Sequence, residues 1–203
     1  MKKKGLIIII SAPSGAGKTT LVKALLKKHK KQLVYSVSAT TRPQKKGERS
    51  GRDYFFLTEK EFKRSIKAGK FLEWAKVFGH YYGTPKRHIE ECIKAGKDVL
   101  LEIDVQGALQ LKRRLRDAVF IFILPPSLAE LKRRLKKRGR ETKSEVERRF
   151  REAKREIRSF KNYDYFVISH QVSDSVKQVE TIIEVEKKKI NRNKEVLNVL
   201  HLA

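Results

Sequence analysis

The sequence GLIIIISAPSGAGKTTL, residues 5–21, decides the fold. Its first part is an unbroken apolar run, which is typical of a strand buried on both faces in a parallel sheet. Its second part, SAPSGAGKTTL, residues 11–21, is a glycine-rich turn leading into a predicted helix. In such a turn, backbone N–H groups and the positive end of the helix dipole bind phosphate. The stretch therefore predicts a phosphate-binding loop (P-loop) for a nucleoside triphosphate.

The predicted triphosphate site consists of consecutive loop residues: Ala12, Pro13, Ser14, Gly15, Ala16, Gly17, Lys18, Thr19 and Thr20. The Lys18 ammonium is expected to reach the β- and γ-phosphates, and the Thr19 hydroxyl to bind the Mg²⁺ that accompanies ATP. Ala12 replaces the first glycine of G-x-x-x-x-G-K-[ST], which matters only if that residue needs a positive φ. The alternative is a glycine-rich turn with a chance lysine. A P-loop alone does not separate GTPases, motors, ATPases and kinases.

Four further apolar runs of strand length follow, at residues 34–38, 98–103, 118–124 and 164–169. Helices are predicted at residues 18–31, 107–116 and 173–190. Strands and helices therefore alternate, which indicates an α/β fold around a parallel sheet.

Two segments interrupt this alternation. Residues 38–83 contain the strand-like stretches DYFFL and FLEW around a short helix, whose start has a capping box of Thr58 and Glu61 and whose end is expected at Gly69. Residues 127–161 carry 15 Lys+Arg against 6 Asp+Glu and read as a pair of helices. The absence of an internal repeat favours two lobes inserted in one domain over tandem domains.

The sequence of the predicted helical pair also contains signals for the start and the end of its first helix. Ser127 and Glu130 form a second capping box, and the chain is expected to leave the helix near Gly139. Apolar residues expected to face inward recur along both helices: Leu128, Leu131 and Leu135 in the first, and Val146, Phe150, Ala153, Ile157 and Phe160 in the second.

Composition limits the class of protein. The chain has 203 residues, 39% hydrophobic and 35% charged, which fits one soluble domain. Its longest apolar run, residues 6–10, is far shorter than the ~20 residues that span a bilayer, so neither a membrane nor a secretory role is expected. A lone cysteine, Cys92, indicates a reducing cytoplasm. The net charge of +26 favours polyanionic partners without choosing among nucleotides, nucleic acid and acidic surfaces.

Four stretches in the same order resemble the guanylate kinase family, and the match runs from residue 11 to about residue 169: SVSATTRPQKKGERSGRDYFF, FLEW, HYYGTP and LLEIDVQG. The resemblance implies ATP-dependent phosphorylation of GMP, with Mg²⁺, in cytoplasmic purine metabolism. It also implies an α/β, P-loop nucleoside monophosphate kinase-like three-layer fold with a parallel central sheet. In that fold, residues 1–203 form a single domain with its core at about 1–37, 84–126 and 162–203, a GMP-binding lobe at about 38–83 and a helical lid at about 127–161.

The resemblance assigns the GMP phosphate to Ser38, Arg42, Tyr54 and Tyr82. A guanidinium can donate two parallel hydrogen bonds to phosphate oxygens, and hydroxyls can donate short hydrogen bonds to them. These residue types therefore suit phosphate binding. The family's usual second arginine corresponds to Lys45, which keeps the charge but lacks the planar fork. The alternative for any one of these residues alone is a solvated basic loop with core tyrosines.

The resemblance assigns the guanine base to Glu73, Thr84 and Asp104. A carboxylate can accept from both N1–H and the 2-amino group of guanine, and a hydroxyl can donate to O6. Each residue also has an alternative: Glu73 on the solvent face of a strand, and Thr84 as N-cap of a helix at residues 85–95 that begins with Pro85. Asp104 ends an apolar strand, where it is placed for a base contact or for water on Mg²⁺.

The resemblance assigns catalysis to Lys18 and to the lid arginines Arg134, Arg138 and Arg149. With so many arginines, a chance match in spacing is the alternative. His170 stands where the family commonly has an asparagine near the adenosine. The expected partners are ATP and GMP, as monomer or homodimer, without a membrane or a specific nucleic acid. Two other classes stay open: a guanylate kinase-like domain that only binds partner proteins, and a nucleic-acid-binding protein.

Overall fold

The computed structural model describes residues 4–77, 79–137 and 142–193. Within these ranges the chain forms nine strands: β1 (Ile7–Ser11), β2 (Leu33–Tyr35), β3 (Ala39–Thr40), β4 (Phe55–Phe56), β5 (Phe71–Val77), β6 (His80–Pro85), β7 (Asp98–Glu102), β8 (Val119–Leu124) and β9 (Tyr165–Ile168). The same ranges contain seven α-helices: α1 (Lys18–Lys28), α2 (Glu59–Lys67), α3 (Lys86–Lys94), α4 (Val105–Lys112), α5 (Leu128–Lys137), α6 (Lys143–Ile157) and α7 (Val172–Lys188). Two short 3₁₀ helices cover Arg158–Asn162 and Ile190–Arg192.

The central sheet has the order β2-β7-β1-β8-β9, and every pair in it is parallel. Successive isoleucines of β1 point to opposite faces. Ile8 and Ile10 pack with residues of α1 and α7, whereas Ile9 packs with residues of α3 and α4. Both faces of the sheet are therefore covered by helices, which explains the continuous apolar runs. The predicted α/β three-layer fold with a parallel central sheet is confirmed.

A second sheet, with the order β4-β3-β6-β5, is formed by the first interrupting segment, and its strand β6 extends two residues beyond that segment to Pro85. Phe62 of α2 fills its core, with ring centroids 4.6 Å from Phe71 and 5.4 Å from Tyr81. The predicted capping box of α2 is confirmed, since the Glu61 N–H donates to Thr58 Oγ1 at 3.2 Å and the Thr58 N–H donates to Glu61 Oε2 at 2.8 Å. The segment thus has a small core of its own.

The predicted inward stripe of α5 and α6 is only partly right. Leu131, Leu135, Val146 and Ala153 are buried, with Phe150 and Ile157 packed against them. Two of the expected inward residues are exposed instead: Leu128 is 45% exposed because it lies at the first residue of α5, and Phe160 is 46% exposed. Phe160 lies in the 3₁₀ helix, where three residues per turn replace 3.6 and shift the face that its side chain occupies.

The second capping box is half formed. The Glu130 N–H donates to Ser127 Oγ at 3.1 Å, but the Glu130 carboxylate accepts from Arg133 and Arg134. The expected helix break near Gly139 lies outside the described residues. None of the helices in the described part of the chain is long and apolar enough to cross a membrane.

Several predicted boundaries were wrong by a few residues. α1 ends at Lys28 and not at residue 31, and α4 spans Val105–Lys112 and not residues 107–116. Pro85 is the N-cap of α3 and the last residue of β6, so α3 begins one residue later than expected.

Candidate active site

The P-loop connects β1 to α1. The left-handed backbone angles of the loop fall on glycines, with φ at 91° for Gly15 and 96° for Gly17. Ala12, which replaces the first glycine of the motif, packs in the core beside β1. The Ala16 N–H donates to Pro13 O at 3.1 Å and closes the turn.

Lys18 and Thr19, the first two residues of α1, both contact the end of β7. Lys18 Nζ donates to Ile103 O at 2.7 Å, and Thr19 Oγ1 donates to Glu102 Oε1 at 2.5 Å. β7 neighbours β1 in the sheet, and the carboxyl ends of parallel strands meet at one edge, where α/β proteins bind their ligands.

An open cleft of about 980 Å³ extends from this edge to the second sheet. It is lined by half of the residues that the sequence assigned to the site: Lys18, Thr19, Ser38, Arg42, Lys45, Tyr54, Glu73, Tyr82, Asp104 and Arg149. Residues from three separate parts of the chain therefore face one space.

Glu73 and Thr84 lie opposite each other on β5 and β6 and are 3% and 1% exposed. Thr84 Oγ1 donates to Glu73 Oε1 at 2.5 Å. Burial, with the charge of Asp104 adding to it, raises the pKa of Glu73 to about 7, while the Thr84 bond and Lys18 oppose the shift. Both alternatives from the sequence are wrong: Glu73 is not on a solvent face, and Thr84 is not a helix cap, because its hydroxyl is used across the strand pair.

Asp104 is the N-cap of α4. Its Oδ1 accepts from the Gln106 N–H at 2.8 Å and the Gly107 N–H at 3.0 Å. This structural role was not predicted from the sequence, although an aspartate before a helix is a common cap. The capping bonds fix the carboxylate in the cleft.

Arg42 is held by Glu48, a residue that the sequence did not single out. Arg42 Nη2 donates to both carboxylate oxygens of Glu48, at 2.8 and 3.0 Å, and Nη1 donates to Pro43 O at 2.6 Å. Partial burial raises the pKa of Glu48, but the bonds from Arg42 and from the Lys45 N–H outweigh it and leave that pKa lowered. The pair is therefore charged at neutral pH.

Two tyrosines stand beside this arginine. The guanidinium carbon of Arg42 lies 5.4 Å from the ring centroid of Tyr54, whose ring meets that of Tyr82 edge-on at 6.1 Å. Burial, with the charge of Glu102 adding to it, raises the pKa of the Tyr54 hydroxyl to about 12, so it remains a neutral donor.

Arg134 of α5 contacts the P-loop at the main chain of Ala16. Its guanidinium donates to Ala16 O at 3.2 Å, to Ser169 Oγ at 2.9 Å, to Ser169 O at 2.8 Å and to Glu130 Oε1 at 2.8 Å. This arginine connects α5, the P-loop and the end of β9.

Two residues of α6 contact Ser14 of the P-loop. Arg149 Nη2 donates to Ser14 Oγ at 2.6 Å, and the Ser14 N–H donates to Glu156 Oε2 at 3.1 Å. Burial raises the pKa of Glu156. Arg138, the third predicted lid arginine, lies outside the described residues.

A second cavity of about 220 Å³ is lined by Gly17 and Thr20 of the P-loop. It is also lined by Arg134, Ser169 and His170. His170 therefore lies next to the P-loop, and it is not among the residues that line the main cleft.

A sequence model of the guanylate kinase family matches residues 4–186. The chain belongs to the guanylate kinase family. It is 51% identical over 195 residues to a guanylate kinase from Caldanaerobacter subterraneus subsp. tengcongensis, covering 96% of this chain and 94% of that protein. A guanylate kinase from Thermotoga maritima is 45% identical over 192 residues, which cover 95% and 92% of the two chains.

A solved guanylate kinase from Anaplasma phagocytophilum has the same fold. It superposes with a TM-score of 0.82 at 33% identity and covers 100% of this chain and 98% of its own. The enzyme phosphorylates GMP to GDP with ATP as the phosphoryl donor. Of the alternatives left open by the sequence, an enzyme is thus favoured over a domain that only binds partners.

Three acidic residues of this guanylate kinase site were missed in the sequence: Glu48, Glu102 and Glu156. Glu102 had a signal, since it ends an apolar strand two residues before Asp104 at the same sheet edge. Glu48 and Glu156 had none, because each contacts a partner that neither periodicity nor a motif connects with it.

Proposed function

We propose that the cleft binds GMP against the second sheet, with Glu73 as the group that recognises guanine. The observation that carries this proposal is a carboxylate 3% exposed that lines an open cleft. Guanine presents two donors side by side, N1–H and the 2-amino group, and an ionised carboxylate accepts from both. Adenine has no hydrogen on N1, which would leave Glu73 buried and unpaired at a cost on the order of 1 to 3 kcal/mol.

Thr84 is proposed as the donor to guanine O6. A hydroxyl has one proton, and Thr84 uses it on Glu73 Oε1. When GMP binds, the Thr84 hydroxyl would therefore turn and donate to guanine O6 instead of to Glu73. Glu73 would in exchange accept from the two donors of guanine. Asp104, fixed by its capping bonds, is proposed as a further acceptor near the base.

The GMP phosphate is proposed to bind Ser38, Arg42, Tyr54 and Tyr82, with Lys45 adding charge. Arg42 is already aligned by Glu48 and by the ring of Tyr54. An arginine held in this way loses less side-chain freedom when it forks onto phosphate oxygens. Lys45 acts as a point charge at the position where the family usually has a second arginine.

ATP is proposed to bind the P-loop, residues 12–20, as its Mg²⁺ complex. The donor set fits this ion, since Mg²⁺ prefers oxygen ligands and Thr19 Oγ1 lies 2.5 Å from a carboxylate oxygen of Glu102. Bound Mg²⁺ neutralises charge on the phosphates. Lys18, aimed along the sheet edge by its bond to Ile103 O, is proposed to contact the transferring group.

The attacking oxygen belongs to the GMP phosphate and is largely ionised at neutral pH, so the chemistry needs no general base. Positioning and charge neutralisation carry the reaction. Arg149 and Arg134, which already contact Ser14 and Ala16, are proposed to stabilise charge on the phosphates, together with Arg138.

In this proposal each segment of the chain has its own role. Residues 38–83 serve as the GMP-binding lobe and residues 127–161 as the lid, on a core of residues 1–37, 84–126 and 162–203. We place the reaction in the cytoplasm, which supplies both nucleotides and keeps a buried thiol such as Cys92 reduced.

Replacing Glu73 tests this proposal. Glu73→Gln keeps the size of the side chain, but an amide cannot accept from both guanine donors. We expect the ratio of kcat/KM for GMP to that for AMP to fall by about 10-fold or more. The measurement is coupled ADP release with each nucleotide.

Glu90→Gln, an exposed change on α3, is the matched control and should leave the ratio unaltered. A Glu73→Gln enzyme with the parental preference for GMP would remove Glu73 from base recognition.

A further inference from the structure

Glu73 lies on a strand whose outer edge is held by the core of the enzyme. β5 is the last strand of the second sheet, so one of its edges pairs with β6 and the other does not pair with a strand of that sheet. Carbonyl groups of alternate residues point to the same edge of a strand. On the outer edge of β5, the carbonyl oxygens on either side of Glu73 belong to Leu72 and Trp74.

Both of these carbonyls accept a hydrogen bond from the α4 region. Gln110 Nε2 donates to Trp74 O at 2.9 Å, and Arg114 Nη1 donates to Leu72 O at 3.1 Å. The two bonds lie one residue before and one residue after Glu73. Together they fix both the position and the twist of the peptide that carries the carboxylate.

Gly107 of α4 lies against the carboxylate itself. A Cβ on Gly107 would overlap Glu73 Oε2 and would lie 2.7 Å from Ile103 Cγ2 and 3.0 Å from Glu73 Cδ. Glycine is disfavoured in a helix relative to alanine, so its presence in the first turn of α4, three residues after the Asp104 N-cap, needs a reason. The close approach of the Glu73 carboxylate supplies that reason.

We propose that Gly107, Gln110 and Arg114 are positioning residues for guanine recognition, which hold Glu73 from behind through its carboxylate and through the main chain of β5. This inference rests on the proposed role of Glu73 as the guanine acceptor. In this proposal α4, a helix of the core, contributes to the guanine specificity of the inserted lobe.

Loss of the Gln110 and Arg114 side chains is expected to affect guanine recognition more than folding. The bonds from Gln110 and Arg114 lie at the surface, where a single hydrogen bond contributes little to folding. Their removal would leave the fold intact and let β5 shift. Such a shift changes how well guanine fits, without touching the P-loop.

The test uses the full-length enzyme and two variants, Gly107→Ala and the double variant Gln110→Ala/Arg114→Ala. Arg113→Ala is the matched control, since Arg113 is the exposed neighbour of Arg114. The measurements are KM for GMP, KM for ATP, kcat, the preference for GMP over AMP, and Tm. Glu73→Gln is measured in the same series.

We expect KM for GMP to rise about 5- to 20-fold in each test variant, with the GMP preference falling in parallel. KM for ATP and kcat should stay within about 3-fold of the parent enzyme, because those quantities depend on the P-loop. Arg114→Lys, in the background of Gln110→Ala, should recover part of the loss because it keeps a donor.

Two outcomes overturn the inference. One is a parental KM for GMP and a parental preference in both test variants. Another is a loss that appears only in kcat and Tm, which would mean that the residues are structural. If Glu73→Gln lowers the preference and the α4 variants do not, the positioning role alone fails. If Glu73→Gln also has no effect, the proposed role of Glu73 fails with it.

Discussion

Glu73 combines two demands that oppose each other. Base recognition needs an ionised carboxylate that can accept from two donors, whereas the surroundings of Glu73 disfavour charge, since burial raises its pKa to about 7. The bond from Thr84 and the charge of Lys18 act in the other direction. The free enzyme therefore holds this carboxylate partly protonated near neutral pH, and guanine supplies the donors that the ionised form lacks.

The raised pKa of Glu73 predicts how stability depends on pH. A carboxyl that binds its proton more tightly when folded contributes stability at low pH and loses it as the pH rises through about 7. Glu73→Gln, which cannot ionise, does not suffer this loss. We expect its Tm to exceed that of the parent by more at pH 8 than at pH 5, by a difference of roughly 4 to 8 °C, or on the order of 2 kcal/mol.

The measurement is thermal unfolding of both proteins without nucleotide. All other titrating groups are shared, so their effects cancel in the difference. A gap between the two Tm values that stays constant from pH 5 to pH 8 would mean that Glu73 has an ordinary pKa.

At the level of elements, α5 connects the helical pair to the P-loop through its buried face. Leu135 is fully buried with Leu131, Val146 and Ala153. The same side chain lies against the P-loop, since a Cβ on Gly15 would come within 2.9 Å of Leu135 Cδ2. Packing of α5 and the shape of the loop are therefore coupled.

Leu135→Ala is predicted to destabilise the enzyme. Removing a fully buried leucine side chain leaves a cavity and costs about 2 to 5 kcal/mol. Leu128→Ala, on the same helix at 45% exposure, should change the free energy of unfolding by less than about 0.5 kcal/mol. Urea unfolding at equilibrium measures both variants, and equal losses would contradict the assignment of the buried face.

The elements show what sequence can and cannot predict. The central strands were predictable because a strand buried on both faces is an unbroken apolar run, as in β1. Thr84 was not, because its position before Pro85 favours a cap, whereas its partner Glu73 is 11 residues away in the sequence. Pairing across a sheet outweighed the local signal, and neither residue alone shows it.

The same limit applies to the site. Lys18 and Thr19 of the P-loop and most of the GMP set line one cleft, and each of them belongs to a recognisable stretch. Glu48, Glu156 and Gln110 contact the site from stretches without such a pattern. Contacts of this kind depend on how separate elements pack, which a single sequence does not state.

On the scale of the whole molecule, the net charge of +26 must be offset in the folded state. Exposed ion pairs such as Lys63–Glu59 and Arg87–Glu91 contribute about 0 to 1 kcal/mol each, and salt weakens them. Repulsion among the excess cations acts between many more pairs and over a longer range. Because the excess is more than the entire acidic content of 23 residues, repulsion should be the larger of the two effects.

Salt is therefore predicted to stabilise the enzyme. The Debye length falls from about 10 Å at 0.1 M to about 3 Å at 1 M salt, which suppresses repulsion between distant charges more than attraction between touching ones. We expect the Tm to rise by at least about 3 °C over this range, equally in NaCl and KCl, since 1 kcal/mol corresponds to about 2 to 4 °C in a chain of this size. Thermal unfolding by circular dichroism without nucleotide measures the change. A Tm that falls with salt would show that local ion pairs outweigh the self-repulsion of the chain.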